Sequence, residues 1–88
     1  MKNRDNVTIY APTYIHESAV IGENSKVGAF CDIGKNVKIG RGCNIQSSVT
    51  ISNGVTIGNG VFLAPDVHIL NDKYMNGLNQ PPTIGKHL

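Results

Sequence analysis

The stretch ISNGVTIGNGVF, residues 51–62, decides the fold, because Ile51 and Ile57, and likewise Val55 and Val61, recur six residues apart. A helix would repeat its apolar stripe about every 3.6 residues, and a half-buried strand would alternate every second residue. Neither template gives a period of six. Extending the frame in both directions from Ile51 finds an aliphatic residue without a gap at Ile9, Ile15, Ile21, Val27, Ile33, Ile39, Ile45, Ile51, Ile57, Leu63 and Ile69. Four places after each comes a second, mostly small or branched residue: Thr13, Ala19, Ser25, Cys31, Val37, Cys43, Val49, Val55, Val61 and Val67. An even offset puts both sets on one side of an extended chain, so both face inward.

Between them lie the corners. Gly22, Gly28, Gly34, Gly40, Gly58 and Ala64 follow the leading residue directly, and Asn24, Asn36, Gly42, Gly54, Gly60, Asp66 and Asp72 stand three places after it. Gly, Asn and Asp tolerate positive φ better than other residues, so a corner in every hexad is chemically plausible; Phe30 is the misfit. A short strand and a corner every six residues close into a three-sided coil. Leading residues eighteen apart then stack as Ile9, Val27, Ile45 and Leu63; as Ile15, Ile33, Ile51 and Ile69; and as Ile21, Ile39 and Ile57. Parallel strand pairing at ~4.8 Å spacing gives three to four coils of a one-dimensional solenoid.

The hexads IGENSK, VGAFCD, IGKNVK, IGRGCN and IGNGVF resemble those of the hexapeptide acyltransferases, whose fold is a left-handed parallel β-helix. The resemblance covers residues 9–72 and 83–88, and it alone supplies the handedness, since parallel crossovers are normally right-handed. It implies an all-β domain organised as a polar N-terminal cap over 1–8, the β-helix over 9–72, an extruded loop over 73–83 and the start of a further coil over 84–88.

The break in the repeat points to a site. After Ile69 the next inward position falls on Lys73, a charge without an evident partner inside so thin a tube, so the coil opens there. Regular spacing places the next leading residue at 75, yet the pattern returns at Ile84–Gly85, about nine residues late. Long excursions from a compact scaffold commonly carry function. The stretch VFLAPDVHILNDKY, residues 61–74, is also similar to the branch of the family that transfers an acetyl group from acetyl-CoA to an amino group of a nucleotide-linked sugar. Phe62, Pro65, Asn71, Asp72 and Tyr74 match that branch, whereas Met75–Asn76 replace its usual Pro-Arg.

The resemblance implies that Asn71 and Asp72 hold or position the sugar amine, that Tyr74 and Lys73 line the substrate side, and that the pantetheine groove begins at Thr83 and Gly85. It also implies a homotrimer with each site between neighbouring subunits. His68 is the candidate general base, because an imidazole ordinarily titrates near neutrality. Each residue has a blander reading: His68 and His16 as solvated surface side chains, and Asp72 as a corner residue chosen for its backbone.

Other classes fare worse. The net charge is +2 with 16% charged residues spread along the chain, so no electrostatic track for nucleic acid forms. The polar MKNRDN start is no secretory leader and no run approaches a membrane span, so a cytoplasmic protein with neither nucleic-acid nor membrane partners is expected. Cys31 and Cys43 occupy inward positions and read as two buried thiols. A metal hydrolyase on this fold needs two His close in sequence, whereas His16, His68 and His87 are widely spread, so no metal is expected. An ice-binding solenoid would rank its Thr in one column, which Thr8, Thr13, Thr50, Thr56 and Thr83 do not do. Only one hexad follows the loop and most of the coenzyme groove is missing, so the chain is expected to be either a C-terminally truncated piece of a longer enzyme or, as the remaining alternative, a shortened, catalytically inactive solenoid acting as a structural or binding module.

Overall fold

A computed structural model describes residues 6–70 and the strand at 83–84. Its strands are each two residues long and run in chain order as β1 (Thr8–Ile9), β2 (Tyr14–Ile15), β3 (Val20–Ile21), β4 (Lys26–Val27), β5 (Asp32–Ile33), β6 (Lys38–Ile39), β7 (Asn44–Ile45), β8 (Thr50–Ile51), β9 (Thr56–Ile57), β10 (Phe62–Leu63), β11 (His68–Ile69) and β12 (Thr83–Ile84). They form three parallel four-stranded sheets ordered β1-β4-β7-β10, β2-β5-β8-β11 and β3-β6-β9-β12. The architecture is a triangular parallel β-solenoid of the left-handed hexapeptide type, with no helix among the described residues.

From β1 to β11 every strand pair keeps the eighteen-residue register. Ile15 pairs with Ile33 and Ile33 with Ile51, just as Ile9 pairs with Val27 and Ile21 with Ile39. The second residue of each strand from β1 to β11 points inward, and from Ile21 to Leu63 these leading residues are buried. The companion set, including Val37, Val49, Val55 and Val61, is buried beside them, so the interior is a continuous aliphatic stack. At roughly 1.5–3 kcal/mol for each fully buried aliphatic side chain, this stack is the principal stabilising term. Ile84 pairs with Ile57 and so takes the next place in its column, twenty-seven residues on where the other rungs use eighteen.

The two sets of corner residues do different work. Positive φ occurs at Asn6 and then once at each successive corner from Asn24 on, at Asn24, Phe30, Asn36, Gly42, Ser48, Gly54, Gly60 and Asp66. The glycines that directly follow the leading residue have ordinary φ, and their missing side chain is needed for space. A Cβ on Gly22 would lie 2.5 Å from the carbonyl carbon of Gly40, and one on Gly28 would lie 2.7 Å from the Ser47 nitrogen. The corners therefore stack backbone on backbone. Phe30, the misfit by residue type, adopts the same left-handed turn at φ 62° while 68% exposed, so no burial offsets its backbone strain.

Polar inward residues are satisfied between coils. The Ser25 hydroxyl donates to the Gly40 carbonyl at 2.9 Å and accepts from the Cys43 N–H at 3.0 Å, so the one fully buried polar side chain among the described residues closes two corner groups. One edge away, the Thr13 hydroxyl accepts from the Cys31 N–H at 2.7 Å and donates to the Cys31 carbonyl at 3.2 Å.

Two substitutions separate space from φ. Gly28→Ala is expected to destabilise the domain by about 1–3 kcal/mol through overpacking. Phe30→Asn, which suits a left-handed turn, is expected to stabilise it by about 0.5–1 kcal/mol. Urea unfolding midpoints check both, and a neutral Gly28→Ala would contradict the stacked-corner geometry.

Candidate functional site

The outward residues of β2, β5, β8 and β11 form a column of Tyr14, Asp32, Thr50 and His68, in register through successive strand pairs. His68 stands on the last of these rungs, with an exposed side chain. Its backbone is fixed on both sides: the Val67 carbonyl accepts from the Thr50 N–H and the Ile69 carbonyl from the Ser52 N–H, each at 3.0 Å. The imidazole is thus presented to solvent from a rigid rung and makes no hydrogen bond to another described residue. Asp32 lies two rungs away, roughly 10 Å at the strand spacing, too far to orient the ring directly.

Asn71, Asp72, Lys73, Tyr74 and Gly85 lie outside the described residues. Thr83 opens β12, where it pairs with Thr56. Of the residues singled out from sequence, the described structure therefore places His68 on one face and the Thr83 backbone on the adjacent one.

His16 has a different role from His68. It is half-buried at a corner of the first coil, where its Nδ1 accepts from the Ser18 backbone N–H at 3.0 Å and lies 2.9 Å from the Ser18 hydroxyl oxygen. That hydroxyl accepts from the Asn36 N–H at 2.8 Å, so His16 belongs to the network that ties two successive corners together. His16 and His68 sit three rungs apart, roughly 14 Å along the axis. Among the described residues no three His, Cys, Asp or Glu side chains gather where a metal could sit.

The thiols are structural. Cys31 and Cys43 are both free and buried, with their Sγ atoms 3.1 Å from the carbonyl oxygens of Gln46 and Gly58 respectively. Each thiol donates to the corner of the following coil, as Ser25 does, and neither is placed to attack a substrate.

One further concavity lies on the edge between the β3-β6-β9-β12 and β4-β7-β10 faces. It is an open groove of about 320 Å³ lined by Glu23, Asn24, Arg41, Gly42, Asn59 and Gly60. The sequence pattern marks Asn24, Gly42 and Gly60 as corners and assigns no role to Glu23, Arg41 and Asn59. The signal that could have found them is the eighteen-residue spacing itself, which stacks Glu23, Arg41 and Asn59 in one column.

With this geometry in place, the comparison with known families is informative. Residues 18–53 match the family described as bacterial transferase hexapeptide (six repeats). The match spans less than half of the chain, and together with the solenoid it supports the hexapeptide-repeat transferase family. No curated protein matches the chain. No helix among the described residues is long and apolar enough to cross a membrane.

Burial of the thiols predicts that Ellman's reagent labels neither Cys31 nor Cys43 in the native protein and labels both in denaturant. Rapid native labelling would contradict their inward placement.

Proposed function

We propose that the chain is the β-helix of an acetyltransferase that moves an acetyl group from acetyl-CoA to an amino or hydroxyl group of a nucleotide-linked sugar, at a site between subunits of a homotrimer. The observation that supports this most is the exposed imidazole of His68, held by a fixed backbone on the last rung before the repeat breaks. The match to the transferase hexapeptide family supports the reaction class. The sugar, the acetyl donor and the trimer come from the resemblance of residues 61–74.

Acetyl transfer from a thioester asks little of the protein: close positioning of acceptor and thioester, and one proton acceptor. In the proposed mechanism the acceptor amine or hydroxyl attacks the thioester carbonyl and the new N–C or O–C bond forms. His68 takes the proton that the acceptor loses. As the C–S bond breaks, the same proton passes to the departing coenzyme sulfur, which leaves as the free thiol. No covalent acyl-enzyme is required, in keeping with the burial of Cys31 and Cys43.

Asn71 would position the reacting amine, Asp72, Lys73 and Tyr74 would hold the sugar side, and Thr83 with Gly85 would begin the pantetheine groove. The adjoining outward residues Thr50 and Asp32, on the same face as His68, give a neighbouring subunit a polar surface to close against.

Isothermal titration with acetyl-CoA, followed by an acetyl-transfer assay on a panel of nucleotide-linked amino sugars, tests the reading. His68→Ala is expected to lower kcat by roughly 100-fold or more with little change in the KM for acetyl-CoA, as loss of a general base would. Absence of binding at millimolar acetyl-CoA would reject the transferase reading in favour of a structural or binding solenoid.

A further inference from the structure

The edge groove carries charges that the fold does not use. Its backbone donors are consumed between coils: the Gly42 N–H donates to the Glu23 carbonyl at 3.0 Å, the Gly60 N–H to the Arg41 carbonyl at 2.8 Å, and the Arg41 N–H to Asn59 Oδ1 at 2.8 Å. What remains for a ligand is side chain alone. The Glu23 carboxylate and the Arg41 guanidinium are both exposed, and neither forms an ion pair with a described residue or with the other. They project from successive corners, one rung of ~4.8 Å apart. The Asn59 amide nitrogen is a third available donor, since its oxygen is already engaged.

The corner at Gly42 faces open space. A Cβ built on Gly42 would meet no atom within 4 Å, in contrast to Gly22 and Gly28, where it would strike backbone. The groove is thus open beside Gly42, between the corners that carry the two charges, and its volume of about 320 Å³ suits a small molecule.

The charge pattern selects the ligand class. A phosphate or other multiply charged anion would find one guanidinium, no free backbone N–H at Arg41, Gly42 or Gly60, and the Glu23 carboxylate one rung away. A simple cation would meet Glu23 and be opposed by Arg41. A ligand that carries an anion and a cation a few ångströms apart satisfies both.

We propose that this edge binds a zwitterionic α-amino acid, its carboxylate on Arg41 and the Asn59 amide and its ammonium on Glu23, with its side chain directed out of the open groove. The guanidinium fork matches a carboxylate bidentately, which gives the ligand its orientation. The site lies on the prism edge opposite the face that carries His68, and it does not depend on the transferase reading.

Titration of the ¹⁵N-labelled protein with glycine, N-acetylglycine and glycinamide, followed by amide chemical shifts, tests the assignment. Glycine is expected to move the resonances of Glu23, Arg41, Gly42 and Gly60 saturably. N-acetylglycine, which lacks the ammonium, and glycinamide, which lacks the carboxylate, are each expected to bind at least about tenfold more weakly, as loss of one charged hydrogen bond implies. Arg41→Gln and Glu23→Gln should weaken glycine by a similar factor. Gly42→Asn should abolish its binding while leaving the fold intact, because Asn24 already holds φ 64° at the same corner position one coil earlier. The proposal is overturned if glycine moves none of these resonances, if N-acetylglycine moves them as strongly as glycine does, or if Arg41→Gln leaves the glycine response unchanged.

Discussion

The fold rests on one constraint: each coil must return to its starting direction after eighteen residues, so that every backbone group and every inward side chain meets its counterpart on the next coil. The Asp32 N–H reaches the Val49 carbonyl at 2.9 Å because Ile33 lies on Ile51, and neither contact can form without the other. Aliphatic stacking supplies the stabilisation and strand pairing supplies the direction. A tube closed in this way has room inside for two side chains per face and nothing larger, which is why its interior tolerates Ser25, Cys31 and Cys43 only where their donors reach a carbonyl of the next corner.

Because the interior is filled, chemistry on this scaffold has to sit outside it. Outward residues form ladders at a fixed rung spacing, and the corners form three edges of stacked turns. His68 belongs to a ladder, which gives it a rigid backbone and an exposed ring. Glu23, Arg41 and Asn59 belong to an edge, where the backbone is already paired and only the side chains remain free to bind. The same eighteen-residue register that buries Ile33 therefore aligns functional groups on the surface. The proposed transferase face and the proposed amino-acid edge would occupy one small prism without competing for its core.

Most of the architecture was legible in the sequence because the inward positions are so uniformly aliphatic. The stacking of Ile15, Ile33 and Ile51 follows from counting, whereas the place of Ile84 over Ile57 comes from strand pairing across the nine-residue excursion. Handedness did not follow from spacing and came from the resemblance. The corner glycines were harder to interpret: composition cannot tell a glycine required for positive φ, such as Gly42, from one required for space, such as Gly22, and only the approach of the next coil separates them. Ser48 and Phe30 adopt the left-handed turn without belonging to the residue types that favour it, so residue preference alone misses them. His68 could be placed outward from its position beside Ile69, whereas its role as base depends on substrate groups that no count of hexads supplies. Asn71, Asp72, Lys73, Tyr74 and Gly85 lie outside the described residues, and their roles remain those implied by the resemblance.

Eighteen-residue stacking can be tested without reference to any ligand. In the nuclear Overhauser spectrum of the uniformly labelled protein, strong interstrand contacts are predicted between the backbone protons of Tyr14–Ile15 and Asp32–Ile33, and between those of Asp32–Ile33 and Thr50–Ile51. Contacts of these strands at any other sequence spacing, or helical contacts between residues three and four apart, would contradict the solenoid and everything placed upon it.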